Sequence, residues 1–265
     1  MRVIITRPMR EANKWAAALS DTGYDAVALP LVEVASAPEP QSVAATWQGL
    51  GEFDAAMFVS GNAVEHFFAS NAAMAQVFTA LSAIKTRAFA TGPGTVAALL
   101  RTGAEAAWID APGQDSQQFD SEALWAVMGA KVHPGFRVLI VRGAGAASET
   151  LAAEGHGRDW FARQVLAAGG AVDYVVAYQR VAVRLRGEDL ALASRAASDG
   201  SVWMFSSSEA IANLVASCPD RDWSLAKSVV THPRIGDAAR KAGFGTVIES
   251  RPSLASLLAS IESLQ

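Results

Sequence analysis

The sequence predicts an α/β fold of parallel sheets arranged as two similar domains. Three observations predict it. Short runs such as VII (Val3–Ile5), AMF (Ala56–Phe58), AFA (Ala88–Ala90), VLIV (Val138–Val141), VWMF (Val202–Phe205) and SVV (Ser228–Val230) are apolar without alternation, the pattern of strands covered on both faces. Each run stops at a polar or Gly/Pro turn and enters a helix-like segment, and strand, turn, helix in repetition means a parallel sheet. The series is also written twice along the chain, which marks an internal duplication.

The first unit opens the chain. VIITRP at Val3–Pro8 ends its strand in Arg7, and a helical stretch through Trp15 runs to Gly23. GYDAVALPLVEV then forms a long extended run, Leu29 to Ala37, that ends in APEP. The second copy of this unit is VLIVRG, ending its strand in Arg142, followed by Trp160, Gly169 and GAVDYVVAYQRV, extended from Tyr174 to Val183. Between strand and helix in that copy, Gly143 to Gly157 is Ala/Gly-rich and is expected to be a mobile loop. The second unit is FVSGNAV at Phe58–Val64, answered by FSSSEAI at Phe205–Ile211 with the shared pattern F-x-S-x-x-A-(V/I). The third is TGPGTVAALLRTG, answered by THPRIGDAARKAG, with T-x-P, nine residues, then Gly in common. Short strands are expected after each third unit, at Ala106–Ile109 and Thr246–Ile248. Ser60 and Ser207 stand where a strand stops and a helix starts, the place of an N-cap. Gly23, Gly103, Gly169 and Gly243 are expected just past helix ends. The last helix carries Leu254, Leu257, Leu258, Ile261 and Leu264 on one face, which suits packing on a sheet.

Composition narrows the function classes. The 265 residues are 51% hydrophobic and 18% charged, a globular chain with ample core. A net charge of −4 supplies no basic field for nucleic acid. The single cysteine, Cys218, cannot form an internal disulfide and favours a reducing compartment. The apolar stretch after Arg2 is too short for a signal peptide, and no window reads as a membrane span. The expected location is the cytoplasm, and a monomer is expected because no unpartnered helix pattern stands out.

The candidate site residues lie in the turns. Arg7 and Arg142 each close a first-unit strand, and ligands of open α/β sheets bind at the carboxyl ends of strands; either arginine could instead pair with a nearby acid. Ser60, Asn62, Ser207 and Ser208 occupy strand-to-helix turns, where free N–H groups and the helix dipole favour carboxylates, though plain N-capping accounts for them as well. Thr91, Gly92, Gly94 and Thr95 form one third-unit turn, whose glycines allow close backbone approach to a ligand. Thr231 and Arg234 belong to the other, where Arg234 could add a cation. The GPGT turn lacks dinucleotide spacing. His66, His133, His156 and His232 have no metal-ligand spacing, and Ser60 and Ser207 lack a nucleophile-elbow context. Tyr178 ends the repeated second strand, and its counterpart in the first copy is Leu31, so this hydroxyl belongs to one copy only.

Domain boundaries stay open on pattern alone. Tandem domains would divide near Gly129–Pro134. Alternatively, the two long extended runs could be crossovers, each first unit joining the second and third units of the other half.

Taken together, VIITRP, FVSGNAV, ATGPGTVAAL, VLIVRG with DYVVAYQR, FSSSEAI and THPRIGDAARKAGF resemble the uroporphyrinogen-III synthase family, in order and over almost the whole chain. The resemblance implies two flavodoxin-like domains joined by a two-stranded β-ladder. It thus implies the crossover layout, with 1–35 plus 182–265 as one domain, 36–181 as the other, and linker strands near 29–37 and 174–183. It implies an enzyme of haem and tetrapyrrole biosynthesis that cyclises linear hydroxymethylbilane to uroporphyrinogen III. The D ring inverts and water is lost, without metal or organic cofactor. Tyr178, in the V-x-x-Y motif, then becomes the candidate to assist departure of the substrate hydroxyl, as a phenol can. Arg7, Arg142 and the turn residues become candidate contacts for a polycarboxylate substrate. Arg234 and Ile235 depart from the small or hydroxyl residues common in the family after this Pro. Two other classes stand beside this reading. One is a cytoplasmic two-domain small-ligand binding or sensory module without turnover. The other is a transferase taking phosphate-bearing substrates at helix N-termini.

Overall fold

The computed structural model describes residues 1–69, 85–116, 118–145 and 156–264. In chain order the elements are β1 (Arg2–Ile5), α1 (Met9–Ser20), β2 (Asp25–Ala28), β3 (Val32–Ser36), α2 (Pro40–Gln48), β4 (Ala55–Phe58), α3 (Gly61–Ala69), β5 (Arg87–Ala90), α4 (Pro93–Arg101) and β6 (Ile109–Asp110). There follow α5 (Ser121–Met128), β7 (Arg137–Ala144), α6 (His156–Ala167), β8 (Ala171–Ala182), α7 (Gly187–Arg195), β9 (Val202–Phe205), α8 (Ser208–Ser217), β10 (Lys227–Val230), α9 (Pro233–Lys241), β11 (Thr246–Glu249) and α10 (Leu254–Glu262). The chain divides into two compact units, Met1–Glu33 with Val181–Gln265, and Val34–Arg180.

The first unit holds a five-stranded sheet in the order β11-β10-β9-β1-β2, with parallel pairings throughout. Read from the other edge, this is the 2-1-3-4-5 order of flavodoxin-like sheets. Its central strands, β1, β9 and β10, are apolar and buried over most of their length because both faces are covered. Ile4, Trp203 and Phe205 enter one core cluster with Leu29, Leu31, Trp223 and Phe244. Val3, Ile5, Val202 and Met204 enter another with Leu19, Leu257 and Ile261. The C-terminal helix supplies Leu257, Ile261 and Leu264 to that second cluster, as its one-sided pattern requires.

The second unit holds a six-stranded sheet in the order β3-β8-β7-β4-β5-β6. Strands β8, β7, β4, β5 and β6 pair in parallel. Counted from β7, the strands β8-β7-β4-β5-β6 again follow the 2-1-3-4-5 order. Leu139, Val141, Ala56 and Phe58 face one cluster with Phe67 and Trp47, and Val138, Ile140, Ala55 and Met57 face the other with Phe161 and Leu124.

The helix ends follow the sequence. The Ser207 hydroxyl caps α8 by accepting from the Glu209 N–H at 3.2 Å, and Ser60 caps α3 by accepting from the Ala63 N–H at 3.1 Å. Gly23, Gly103, Gly169 and Gly243 all lie at positive φ, from +84° to +95°, where a Cβ would be strained. Two expectations change. Of the strand expected at Ala106–Ile109, residues Ala106–Trp108 form a 3₁₀ turn and only Ile109–Asp110 is strand. The turn is fixed by the Arg87 guanidinium, which donates to the Ala107 carbonyl at 3.2 Å and lies over the Trp108 ring. The expected extended run at Leu29–Ala37 breaks at Leu29–Leu31, where β2 has ended and β3 has not begun. Leu29 and Leu31 are fully buried there, and the Leu29 N–H reaches the Ile5 carbonyl at 2.9 Å. Strand β7 runs through Ala144, and residues 146–155 of the expected mobile loop lie outside the described residues. Among the described residues no helix is long and apolar enough to cross a membrane.

Candidate functional site

In a flavodoxin-like sheet the chain reverses its winding between the first and third strands, and the carboxyl ends there are splayed apart. In the second unit that point lies between β7 and β4. It brings together the ends of β7 and β8 and the turn into α3.

Tyr178 is placed there by an irregularity in β8. From Arg137↔Ala171 to Arg142↔Val176 the β7–β8 register is regular, and then Gly143 faces Tyr178, so Ala177 is the extra residue of a bulge. Strict alternation would send Tyr178 to the face of Val172 and Tyr174. The bulge turns it over, so that Val175, Ala177 and Tyr178 all join the same core cluster, as a one-residue slip in a strand must do. Tyr178 is only 3% exposed. Its hydroxyl lies 3.1 Å from Ser60 Oγ, with either group able to donate. Ser60 Oγ is at the same time the cap of α3, so the phenol is linked through one hydroxyl to a helix N-terminus.

Two neighbours complete this corner. A Cβ on Gly143 would stand 2.3 Å from Tyr178 Cζ and 2.5 Å from Cε2, so the phenol ring rests directly on the glycine. On α3, the His66 ring lies 5.7 Å from the Tyr178 ring, tilted by 31°. Burial pushes the His66 imidazole below its ordinary value, partly opposed by the Glu65 carboxylate. Neither Gly143 nor His66 stood out in the sequence as a site residue. Aligning the duplicated units one position past Arg142 and six past Ser60 is the signal that could have found them.

The other candidates in this unit are spread around the corner. Asn62 is partly exposed in the first turn of α3. Thr91 lies in the next strand's turn, its hydroxyl 3.5 Å from the Val59 carbonyl. Gly92 begins α4 with no side-chain cap. Its free side faces Phe119, whose Cβ would meet an added Cβ at 3.1 Å, while Gly94 is open within 4 Å. Gly94 is thus the glycine of this pair that leaves backbone open to a ligand. Thr95 is buried, at 5% exposure. Arg142 does not join Tyr178. Alternation along β7 puts it on the opposite face from Gly143, 6% exposed, with its guanidinium 4.9 Å over the Tyr174 ring.

The first unit has an equivalent point between β1 and β9, where Arg7 and the turn at Ser207 lie on adjacent strand ends. Arg7 donates from Nη1 to Glu11 at 3.0 Å and lies 4.9 Å over the Trp15 ring. Its Nε is buried and has no hydrogen-bond partner, an unusual state for a buried donor. The N-terminus of α1 has no side-chain cap. Ser207 and Ser208 start α8 on β9. On β10, the Thr231 N–H donates to the Phe205 carbonyl at 3.2 Å. His232 caps α9, its Nδ1 accepting from the Arg234 N–H at 3.1 Å, which leaves Nε2 to carry the hydrogen of the neutral ring. The Arg234 side chain is exposed.

The family model described as uroporphyrinogen-III synthase HemD matches residues 13–259. No curated protein matches the sequence significantly. Among solved structures, one similar fold is a mutant uroporphyrinogen III synthase of the extreme thermophile Thermus thermophilus. It is 15% identical, covers 100% of this chain and 98% of that one, and superposes with a TM-score of 0.59. Another is the uroporphyrinogen-III synthetase of Helicobacter pylori, 14% identical over 100% of both chains with a TM-score of 0.58.

Proposed function

Because the chain belongs to the uroporphyrinogen-III synthase family, whose model covers residues 13–259, we propose that it cyclises linear hydroxymethylbilane to uroporphyrinogen III with inversion of the D ring and loss of water. The observation that carries this reading is the buried Tyr178 hydroxyl on the Ser60 cap at a sheet switch point.

The substrate's hydroxymethyl C–O bond breaks as Tyr178 gives its proton to the departing oxygen, which leaves as water. Ser60, supported by the Ala63 N–H, is placed to donate to the phenol oxygen as that proton leaves. The azafulvene that remains is attacked by the substituted carbon of ring D. A spiro intermediate forms, the bond from that carbon to the bridge to ring C breaks, and the freed bridge recloses on the other, unsubstituted α carbon of ring D, across the pyrrole nitrogen. The proton lost from carbon on closure balances the one Tyr178 gave, so the net change is one water. Elimination and C–C bond formation call for no redox partner, in keeping with a cofactor-free reaction.

Geometry supplies much of the effect. The bilane would close to the uninverted isomer unless its ends were held, and holding reacting groups in place can contribute several kcal/mol, about 7 or more in favourable cases. In this reading the uncapped starts of α1 and α4 bind carboxylates through backbone N–H groups. Arg7 Nε, buried and unpartnered, binds another. Thr91, Gly92, Gly94 and Thr95 supply the turn into α4, Asn62, Ser207, Ser208, Thr231 and Arg234 supply further contacts from the turns into α3, α8 and α9, and Arg142 is a more remote cation. The two units correspond to the two domains of the family layout, and the protein acts as a cytoplasmic monomer without nucleic-acid or membrane partners.

The test supplies hydroxymethylbilane, oxidises the product and separates the isomers. A predominance of type III is expected. An unchanged excess of type I would overturn the reading and leave ligand binding without turnover as the function.

A further inference from the structure

We propose that Gly143 and His66 are positioning residues for Tyr178: the bare glycine seats the phenol ring and the imidazole holds it from the neighbouring helix, so that the hydroxyl stays on Ser60. This rests on the catalytic reading of Tyr178 given above.

Three observations carry it. The bulge at Ala177 turns the Tyr178 side chain onto the Gly143 side of the sheet, where any larger residue at 143 would occupy the ring's own volume. The ring of His66 packs beside the phenol at 5.7 Å.

The third comes from the duplication. Aligning F-x-S-x-x-A-(V/I) between copies pairs His66 with Asn213, and the strand ends pair Tyr178 with Leu31. In the first unit Asn213 Nδ2 donates to the Leu31 carbonyl at 2.8 Å. The same helix position therefore touches the same strand-end position in both copies, once through a backbone carbonyl and once through a ring. The seat differs in step with this. Pro8 stands where the second copy has Gly143, and Leu31, fully buried in its own core, needs no bare position beneath it. The duplication thus keeps a strand-end clamp, and one copy has fitted it to a phenol.

The experiment measures kcat and KM for type III formation in Gly143→Ala, His66→Ala and His66→Phe, each with Tyr178 present and in the Tyr178→Phe background. With Tyr178 present, Gly143→Ala and His66→Ala are each expected to lower kcat about tenfold or more, since small misplacements of a reacting group are costly, while KM moves little. His66→Phe, which restores a ring, recovers most of the loss. In the Tyr178→Phe background the same changes cost less than about twofold, because the group they position is gone. Equal losses in both backgrounds, losses carried in KM, or failure of His66→Phe to recover activity each overturn the proposal. If Gly143→Ala does not fold, the His66 pair alone decides.

A second readout separates this proposal from the functional one. With tyrosine labelled by carbon-13 at Cζ, the Tyr178 resonance, assigned by its loss in Tyr178→Phe, is expected to shift in Gly143→Ala and His66→Ala. A fixed resonance sinks the clamp even where the enzyme is active. A shifted resonance in a protein that makes no type III isomer keeps the clamp and removes the reaction.

Discussion

At the scale of the residue, the proposed chemistry rests on one hydroxyl contact between side chains 118 positions apart, Tyr178 and Ser60. Tyr178→Phe deletes the hydroxyl proposed to give up its proton and leaves the packing. A neutral hydrogen bond contributes about 1 kcal/mol to stability, too little to unfold a domain, whereas loss of a general acid costs about 10²-fold in rate. Steady-state assays should show that fall in kcat with a nearly unchanged thermal midpoint, and full activity would make Tyr178 a packing residue. Ser60 has two duties, so Ser60→Ala should lose about 1 kcal/mol of helix-cap stability and also lower kcat. Ser207→Ala removes the corresponding cap of the other copy, where Leu31 stands in the place of Tyr178. At matched loss of stability by urea unfolding, the Ser60 variant should be the slower enzyme. Equal rates would detach Ser60 from the chemistry.

At the scale of the element, the two-residue strand β6 is held to the sheet by side chains as well as by its short ladder with β5. Asp110 does much of it. Its carboxylate accepts from Arg87 at 3.0 Å and from the Lys131 ammonium, tying β5 and the turn after α5 to β6. Burial alone would raise its pKa, but the hydrogen bonds and charges of Arg87 and Lys131 outweigh this and hold it below the ordinary carboxylate range. Asp110→Asn should cost about 2 kcal/mol, read as a lower urea midpoint at pH 7. The sign of the acid effect follows from linkage. With a folded pKa below the unfolded one, the unfolded state binds more protons in between. This stabilisation is therefore complete above the unfolded value, about 3.9, and is lost as pH falls through the folded value. The gap in stability between wild type and Asp110→Asn should narrow below about pH 4, and a constant gap would show that the clip is not ionic.

At the scale of the whole molecule, each unit has its own sheet with clusters on both faces. The second is continuous in sequence, Val34–Arg180. Expressed alone, residues 34–180 should melt cooperatively with an α/β circular dichroism spectrum, as a unit with its own core does. A gradual, non-cooperative melt would show that the unit depends on the rest of the chain. The first unit is discontinuous, so it gains most of its strands only after the second has been synthesised.

Much of the fold was legible because it is set locally. Unbroken apolar runs, a serine at the turn and a glycine past the helix each act within a few residues, and the structure shows Ser60 and Ser207 as caps and four glycines at positive φ. The repeats added the order of the units. Legibility ended where contacts depend on register between distant strands. Arg7 and Arg142 read alike in sequence, yet Arg142 lies across the sheet from Tyr178. Nothing in AVDYVVAYQRV announces that Ala177 bulges, because a bulge is decided by how β8 lies along β7. His66 looked isolated because its partner is on another element. By itself the sequence determined which segments become strands and helices, and that two similar sets exist. Only tertiary structure decided which side chains share a face, because a one-residue shift in a strand reverses every side chain after it while leaving the local pattern unchanged.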